Sequence, residues 1–102
     1  MAKYIVSDLA DGEEAEIFLY LVSNHAKTAA VRLKAKFKAE YERLAEFPLS
    51  GAPVKTKCLK QFRFSIVEKY YIFYTFKDSI VTIERVLHTA RNVKTILKKE
   101  KP

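Results

Sequence analysis

Apolar positions along the chain recur at two different periods, and the change of period divides it. Residues 3–7 (KYIVS) form a short β-prone run that predicts a first strand. From Asp8 to Asn24 the spacing becomes helical, with Ile17, Phe18, Leu21 and Val22 on one stripe and Asp8, Asp11, Glu13, Glu14 and Glu16 toward the front. Acids there complement the positive end of a helix dipole, and Ser7 or Asp8 is the expected N-cap. Gly12 weakens a helix by about 1 kcal/mol relative to Ala, so loose first turns are expected. Residues 28–46 predict a second helix: Ala30, Leu33, Phe37, Tyr41 and Leu44 fall three or four apart, with Lys34, Lys38 and Glu42 on the other side. Pro48, Gly51 and Pro53 must end it. With about three residues between them, the two helices make an antiparallel hairpin.

The second half reads at period two. Gln61–Val67 alternates, with Phe62, Phe64 and Ile66 on one face and Gln61, Arg63 and Ser65 on the other. Tyr70–Lys77 is dense in aromatics and reads as a central strand, and Ile80–His88 is rich in β-branched residues. Glu68-Lys69 and Asp78-Ser79 are connectors short enough for tight hairpins. The expected fold is α+β: an N-terminal strand, a helical hairpin, then a three-stranded antiparallel meander and a short C-terminal helix from about Asn92 to Lys99 (β-αα-βββ-α). The hairpin covers one sheet face and leaves the other partly open. Residues 1–102 are expected to form one domain.

Charge adds a polarity to this layout. Residues 1–50 carry a net of −1 and residues 51–102 a net of +8, which together give the chain its +7. A concentrated positive field favours nucleic acid or an acidic protein segment, although lysines also serve simply as a solvated surface. With Cys58 the only cysteine, neither a disulfide framework nor a Cys-rich zinc site is expected. No metal or other cofactor is expected. No apolar run approaches the ~20 residues of a membrane span, and residues 1–15 lack an apolar signal segment, so a cytoplasmic protein without a membrane partner is expected.

Three segments carry a resemblance to a known family. AEIFLYL at 15–21, RLAEFPLSGAP at 43–53, and YYIFYTF with RVLHTARN at 70–76 and 85–92 occur in the order and spacing of RelE/ParE-type toxins of type II toxin–antitoxin systems. The chain resembles them from about Lys3 to Lys98. The resemblance implies a RelE/ParE-like fold and a cognate antitoxin, ParD-like or RelB-like, that wraps an extended, partly helical segment around the toxin. For the ParE-like branch it implies inhibition of DNA gyrase with no active-site chemistry. For the RelE-like branch it implies cleavage of mRNA on the ribosome. A homodimer is a further candidate assembly.

Metal-free RNA cleavage needs a base for the 2′-hydroxyl, an acid for the leaving oxygen and cations over the phosphate. The residues available for it are His88 with Arg63, Arg85 and Arg91, and the acids Glu68 and Glu84. The nuclease pattern transfers poorly. Its third-strand arginine is Tyr71 here, its paired lysines fall on Phe62 and Phe64 or, shifted by one, on Arg63 and Ser65, and the tyrosine after its histidine is Thr89. These departures favour the ParE-like branch, a binding protein rather than an enzyme, with the RelE-like endoribonuclease and a detoxified antitoxin-binding module as the alternatives. The candidate partner-binding residues are then Arg63, Tyr71, Phe73, His88 and Arg91, with Lys55, Lys57 and Lys60 as a basic run. Each has a plainer role available. His88 can end a strand and bond a loop, the lysines can be a solvated loop, and the aromatics can be core. Arg85 shares parity with Val81, Ile83 and Leu87, so on the helix-covered face it must pair with a carboxylate or lie at the rim.

Overall fold

The computed structural model describes residues 3–54 and 61–91. The chain runs β1 (Tyr4–Val6), α1 (Asp8–Ser23), α2 (Lys27–Glu46), β2 (Ala52–Pro53), β3 (Arg63–Val67), β4 (Tyr70–Lys77) and β5 (Ile80–His88). The helices and the β3–β4–β5 meander follow the sequence pattern to within about two residues at their ends. The strand arrangement as a whole does not. The sheet has five strands in the order β1-β5-β4-β3-β2, and it is mixed rather than a meander alone. β1 pairs in parallel with β5, Tyr4 opposite Val81 and Val6 opposite Ile83, and β2 adds antiparallel to β3. The added strand falls in the Pro- and Gly-containing segment where only a helix stop was legible. Proline is tolerated there because β2 lies at a sheet edge. The expected C-terminal helix and the Lys55, Lys57, Lys60 run lie outside the described residues.

Local chemistry explains the joints. Ser7 caps α1, its hydroxyl accepting from the Ala10 N–H at 3.0 Å and donating to the Glu84 carbonyl at 3.0 Å. The helix is intact from Asp8, so Gly12 does not loosen its start. At the β4–β5 turn, Asp78 and Ser79 both take positive φ, 53° and 64°. Two such residues in a two-residue loop match the right-handed twist of the strands.

Leu33, Phe37, Tyr41 and Leu44 of α2 pack against Ile72, Tyr74, Val81, Ile83 and Val86 of the sheet, and Ala10 brings α1 to the same core. A smaller cluster of Phe62, Phe73 and Leu87 lies elsewhere, flanked by Val54, Phe64 and Tyr71. Tyr74 fastens the segment after α2: its buried hydroxyl accepts from the Gly51 N–H at 2.9 Å and donates to the Pro48 carbonyl at 2.7 Å. Among the described residues, no helix is long and apolar enough to cross a membrane.

Candidate functional site

The last half of β5 holds His88 and Arg85, with Arg91 three residues beyond the strand, and a register break governs where the strand's side chains go. Phe73 pairs with Arg85 and Tyr74 with Ile83, which leaves Glu84 as an extra residue in β5. A bulge of this kind re-aims the side chains beyond it. Val81 and Ile83 belong to the main core, but past the bulge it is Val86 that does, and Leu87 joins the smaller cluster. The parity that grouped Arg85 and Leu87 with Val81 and Ile83 therefore does not survive the bulge.

β1 stops opposite Ile83, so the outer edge of β5 from Glu84 onward faces α1 instead of a strand. Glu13 fills part of the missing ladder. Its Oε1 accepts the Val86 N–H at 2.9 Å, while its Oε2 accepts Arg85 Nε at 2.9 Å and Nη2 at 2.6 Å. Arg85 is 8% exposed, and pairing with a carboxylate is how the fold accommodates it. Arg63 is also engaged, its Nη1 donating to the carbonyls of Gly51 at 2.7 Å and Leu49 at 3.3 Å. Glu84 accepts from the Thr75 hydroxyl. Glu68 pairs with Lys36 at 2.7 Å, and that hydrogen bond holds its carboxyl below the usual range.

His88 stacks edge-on against Tyr70, with ring centroids 5.5 Å apart, and its Nδ1 accepts the Ala90 N–H at 3.0 Å. A ring nitrogen that accepts is unprotonated, so in the neutral ring the proton sits on Nε2. Held this way, His88 is a hydrogen-bond donor with its one lone pair already used. That suits binding better than proton abstraction. Arg91 is exposed, and its N–H donates to the His88 carbonyl at 3.0 Å. Tyr71 is half-buried and edge-on to Phe64. Phe73, read as a docking residue, is 3% exposed beside Phe62 and Leu87, so it supports the sheet from within.

The structure thus brings His88 and Arg91 together and keeps Arg63 and Arg85 occupied elsewhere. Between α1 and β5 lies a cleft of about 490 Å³, bounded by Ile17 and Tyr20 of the helix and by Tyr70 and His88 of the sheet. Glu16, Lys69 and Arg91 also line it. Glu16, Tyr20 and Lys69 were not among the expected site residues, because their convergence depends on how α1 crosses the sheet edge. A second cleft of about 480 Å³ lies among β1, α1 and α2, over Tyr4, Val6 and Tyr41, with Lys34 and Lys38 among its lining. There Glu14 accepts the Tyr41 hydroxyl at 2.6 Å, and burial pushes the carboxyl of Glu14 above its usual range. Among the described residues, no group of three or more His, Cys, Asp or Glu side chains could hold a metal ion.

A helical hairpin packs on a small mixed sheet, and a cleft lined by two acids, Glu13 and Glu16, and two bases, Lys69 and Arg91, opens at the sheet edge. The same fold occurs in a solved chain described as the chromosomal ParDE TA system from P. aeruginosa, with a TM-score of 0.72 and 14% identity, covering 86% of this chain and 96% of that one. At that identity the likeness is one of fold. The family described as the ParE toxin of the type II toxin–antitoxin system, parDE, matches residues 4–93, and the chain belongs to that family. No curated protein matches the sequence. Membership of a toxin–antitoxin family implies an antitoxin as partner.

Proposed function

We propose that this chain is a toxin that acts by binding and inhibiting DNA gyrase, carries out no bond-breaking chemistry of its own, and is neutralised by a cognate ParD-like antitoxin. The observation that carries this reading is the family match across residues 4–93, which spans both helices and all five strands. The state of the nuclease candidates supports it. Arg85 is taken by Glu13, Arg63 by two backbone carbonyls, and the accepting nitrogen of His88 by Ala90. A general base, an acid and free cations around one phosphate are what RNA cleavage requires, and these residues are not arranged that way. Fold alone does not fix function, so the target has to be tested directly.

The purified chain, added to DNA gyrase, is expected to block supercoiling and accumulate gyrase–DNA cleavage complexes, and prior addition of the cognate antitoxin to abolish the effect. In bacteria, induction is expected to switch on a DNA-damage reporter before translation stops. Unaffected gyrase together with cut ribosome-bound mRNA, the cutting lost in His88→Ala, would overturn the proposal in favour of an endoribonuclease. General acid–base groups contribute about 10²–10⁴-fold, so that loss would be unmistakable.

A further inference from the structure

We infer that the Phe47-Pro48-Leu49 tip after α2 is the surface by which this toxin enters an apolar pocket of its folded target. On the reading proposed above that target is DNA gyrase, and the choice of partner rests on that reading.

The tip leaves two large apolar side chains in water. Phe47 is 56% exposed and Leu49 67%, with only Pro48 between them. Exposed apolar residues are ordinary on a protein surface, so exposure alone would mean little. What sets this pair apart is the backbone that carries it. The Phe47 N–H donates to the Arg43 carbonyl at 2.8 Å, and the Phe47 carbonyl accepts the Ser50 N–H at 3.0 Å. The Tyr74 hydroxyl bridges the Pro48 carbonyl and the Gly51 N–H. Arg63 Nη1 donates to the Leu49 and Gly51 carbonyls, and Arg43 Nη1 donates to the Ser50 hydroxyl at 3.1 Å. Each residue from Phe47 to Gly51 is thus tied by a backbone or hydroxyl group, to side chains of α2, β3 and β4 or within the loop itself. A side chain on a locked loop gives up little freedom on docking, so more of its burial appears as affinity. An aromatic anchor of this kind is what carries the binding energy at the centre of an interface.

Shape and charge select the occupant. Neither cleft is lined by any residue of this loop, so the tip offers no groove to a segment that orders on binding. Two projecting side chains on a fixed backbone fit a concave pocket already formed in a folded protein. Arg43 is neutralised by Glu40, but Arg63 bonds two carbonyls, and no carboxylate among the described residues pairs with it. Its charge therefore sits behind Leu49, while Glu46 flanks Phe47 on the α2 side. The complementary pocket is apolar at its floor and acidic at the rim that meets the Leu49 side.

The test measures inhibition of DNA supercoiling by the purified full chain, beside growth arrest on induction in bacteria. Phe47→Ala and Leu49→Ala are each expected to raise the concentration for half-inhibition by about tenfold or more, the effect of losing an anchor. Val31→Ala removes a similarly exposed apolar side chain near the start of α2 and is the control. It is expected to stay within about twofold of the unaltered chain, as side chains outside an interface centre do. All three variants should melt close to the unaltered chain, because the side chains they shorten are more than half exposed. The Phe47→Ala, Leu49→Ala double variant is expected to lose growth arrest. Inhibition unchanged in both single variants, or arrest that persists in the double variant, would overturn the inference. Gyrase untouched by the unaltered chain, with arrest lost in the double variant, would overturn the gyrase reading and retain the tip as the contact with another folded target.

Discussion

Glu13, in the second turn of α1, and Arg85, just past the bulge of β5, are joined through two hydrogen bonds to one carboxylate oxygen, while the other oxygen of Glu13 holds the Val86 N–H. A single side chain thereby pairs a nearly buried cation and completes the backbone of a strand whose neighbour has ended. It also fixes the distance between α1 and β5, and so the width of the cleft.

Removing either partner should be costly, because it strands the other in a poorly solvated place. Arg85→Ala is expected to lower unfolding free energy by about 3 kcal/mol, in the range for breaking a buried pair. Glu13→Gln, which keeps an acceptor for Val86, should cost less than Glu13→Ala. Chemical denaturation of the three variants checks this order, and equal losses for the two Glu13 variants would mean the Val86 bond contributes nothing.

The two glycines should respond in opposite directions. A Cβ at Gly12 meets no atom within 4 Å, so Gly12→Ala should stabilise α1 by about 0.5–1 kcal/mol. A Cβ at Gly51 would lie 2.7 Å from the Tyr74 ring and 2.8 Å from the Phe64 carbonyl oxygen. Gly51→Ala should therefore destabilise, and thermal melts of both variants give the signs.

Tyr74→Phe isolates one hydroxyl. Its loss leaves the Gly51 N–H and the Pro48 carbonyl without the hydroxyl that bonds both, a cost of about 1–3 kcal/mol. Faster hydrogen exchange at the Gly51 amide should accompany it. A drop in stability with that amide unchanged would place the loss in packing instead.

Acid response separates two carboxylates. Burial raises the Glu14 carboxyl above its ordinary value, outweighing the Tyr41 hydroxyl that it accepts. A folded-state value above the unfolded one means the fold favours the protonated form, so this group's contribution falls as pH rises from the unfolded value through the folded one. Glu14→Gln retains an acceptor for Tyr41 and should gain stability relative to the unaltered chain at pH 7, the gain vanishing below both values. Glu40 behaves oppositely. Burial works against its charge, but hydrogen bonds from Arg43 and Ser65 prevail and hold it below the usual range. Its contribution is present above the unfolded value and lost as pH falls through the folded one, so Glu40→Gln should cost more stability at pH 7 than at pH 3. Urea titrations at the two pH values test both signs.

Much of this protein was legible in the sequence because local rules dictated it. The α2 stripe from Ala30 to Leu44, the Ser7 cap, the proline and glycine stop after Glu46, and the tight turns at 68–69 and 78–79 each depend on neighbours within a few residues. The three family segments, read in order, likewise pointed to the family that residues 4–93 match. What the sequence could not decide is where distant pieces meet. Parity along β5 failed at Glu84 because a bulge is a property of two strands in register, not of one. The parallel pairing of β1 with β5 joins residues nearly eighty positions apart, and nothing within either strand announces it. The cleft exists because β1 is three residues long and β5 is nine, so a helix faces the surplus edge. Which arginines are free to act followed from that as well: Glu13 claims Arg85 across the gap, and Arg91 stands beside His88 at its open end.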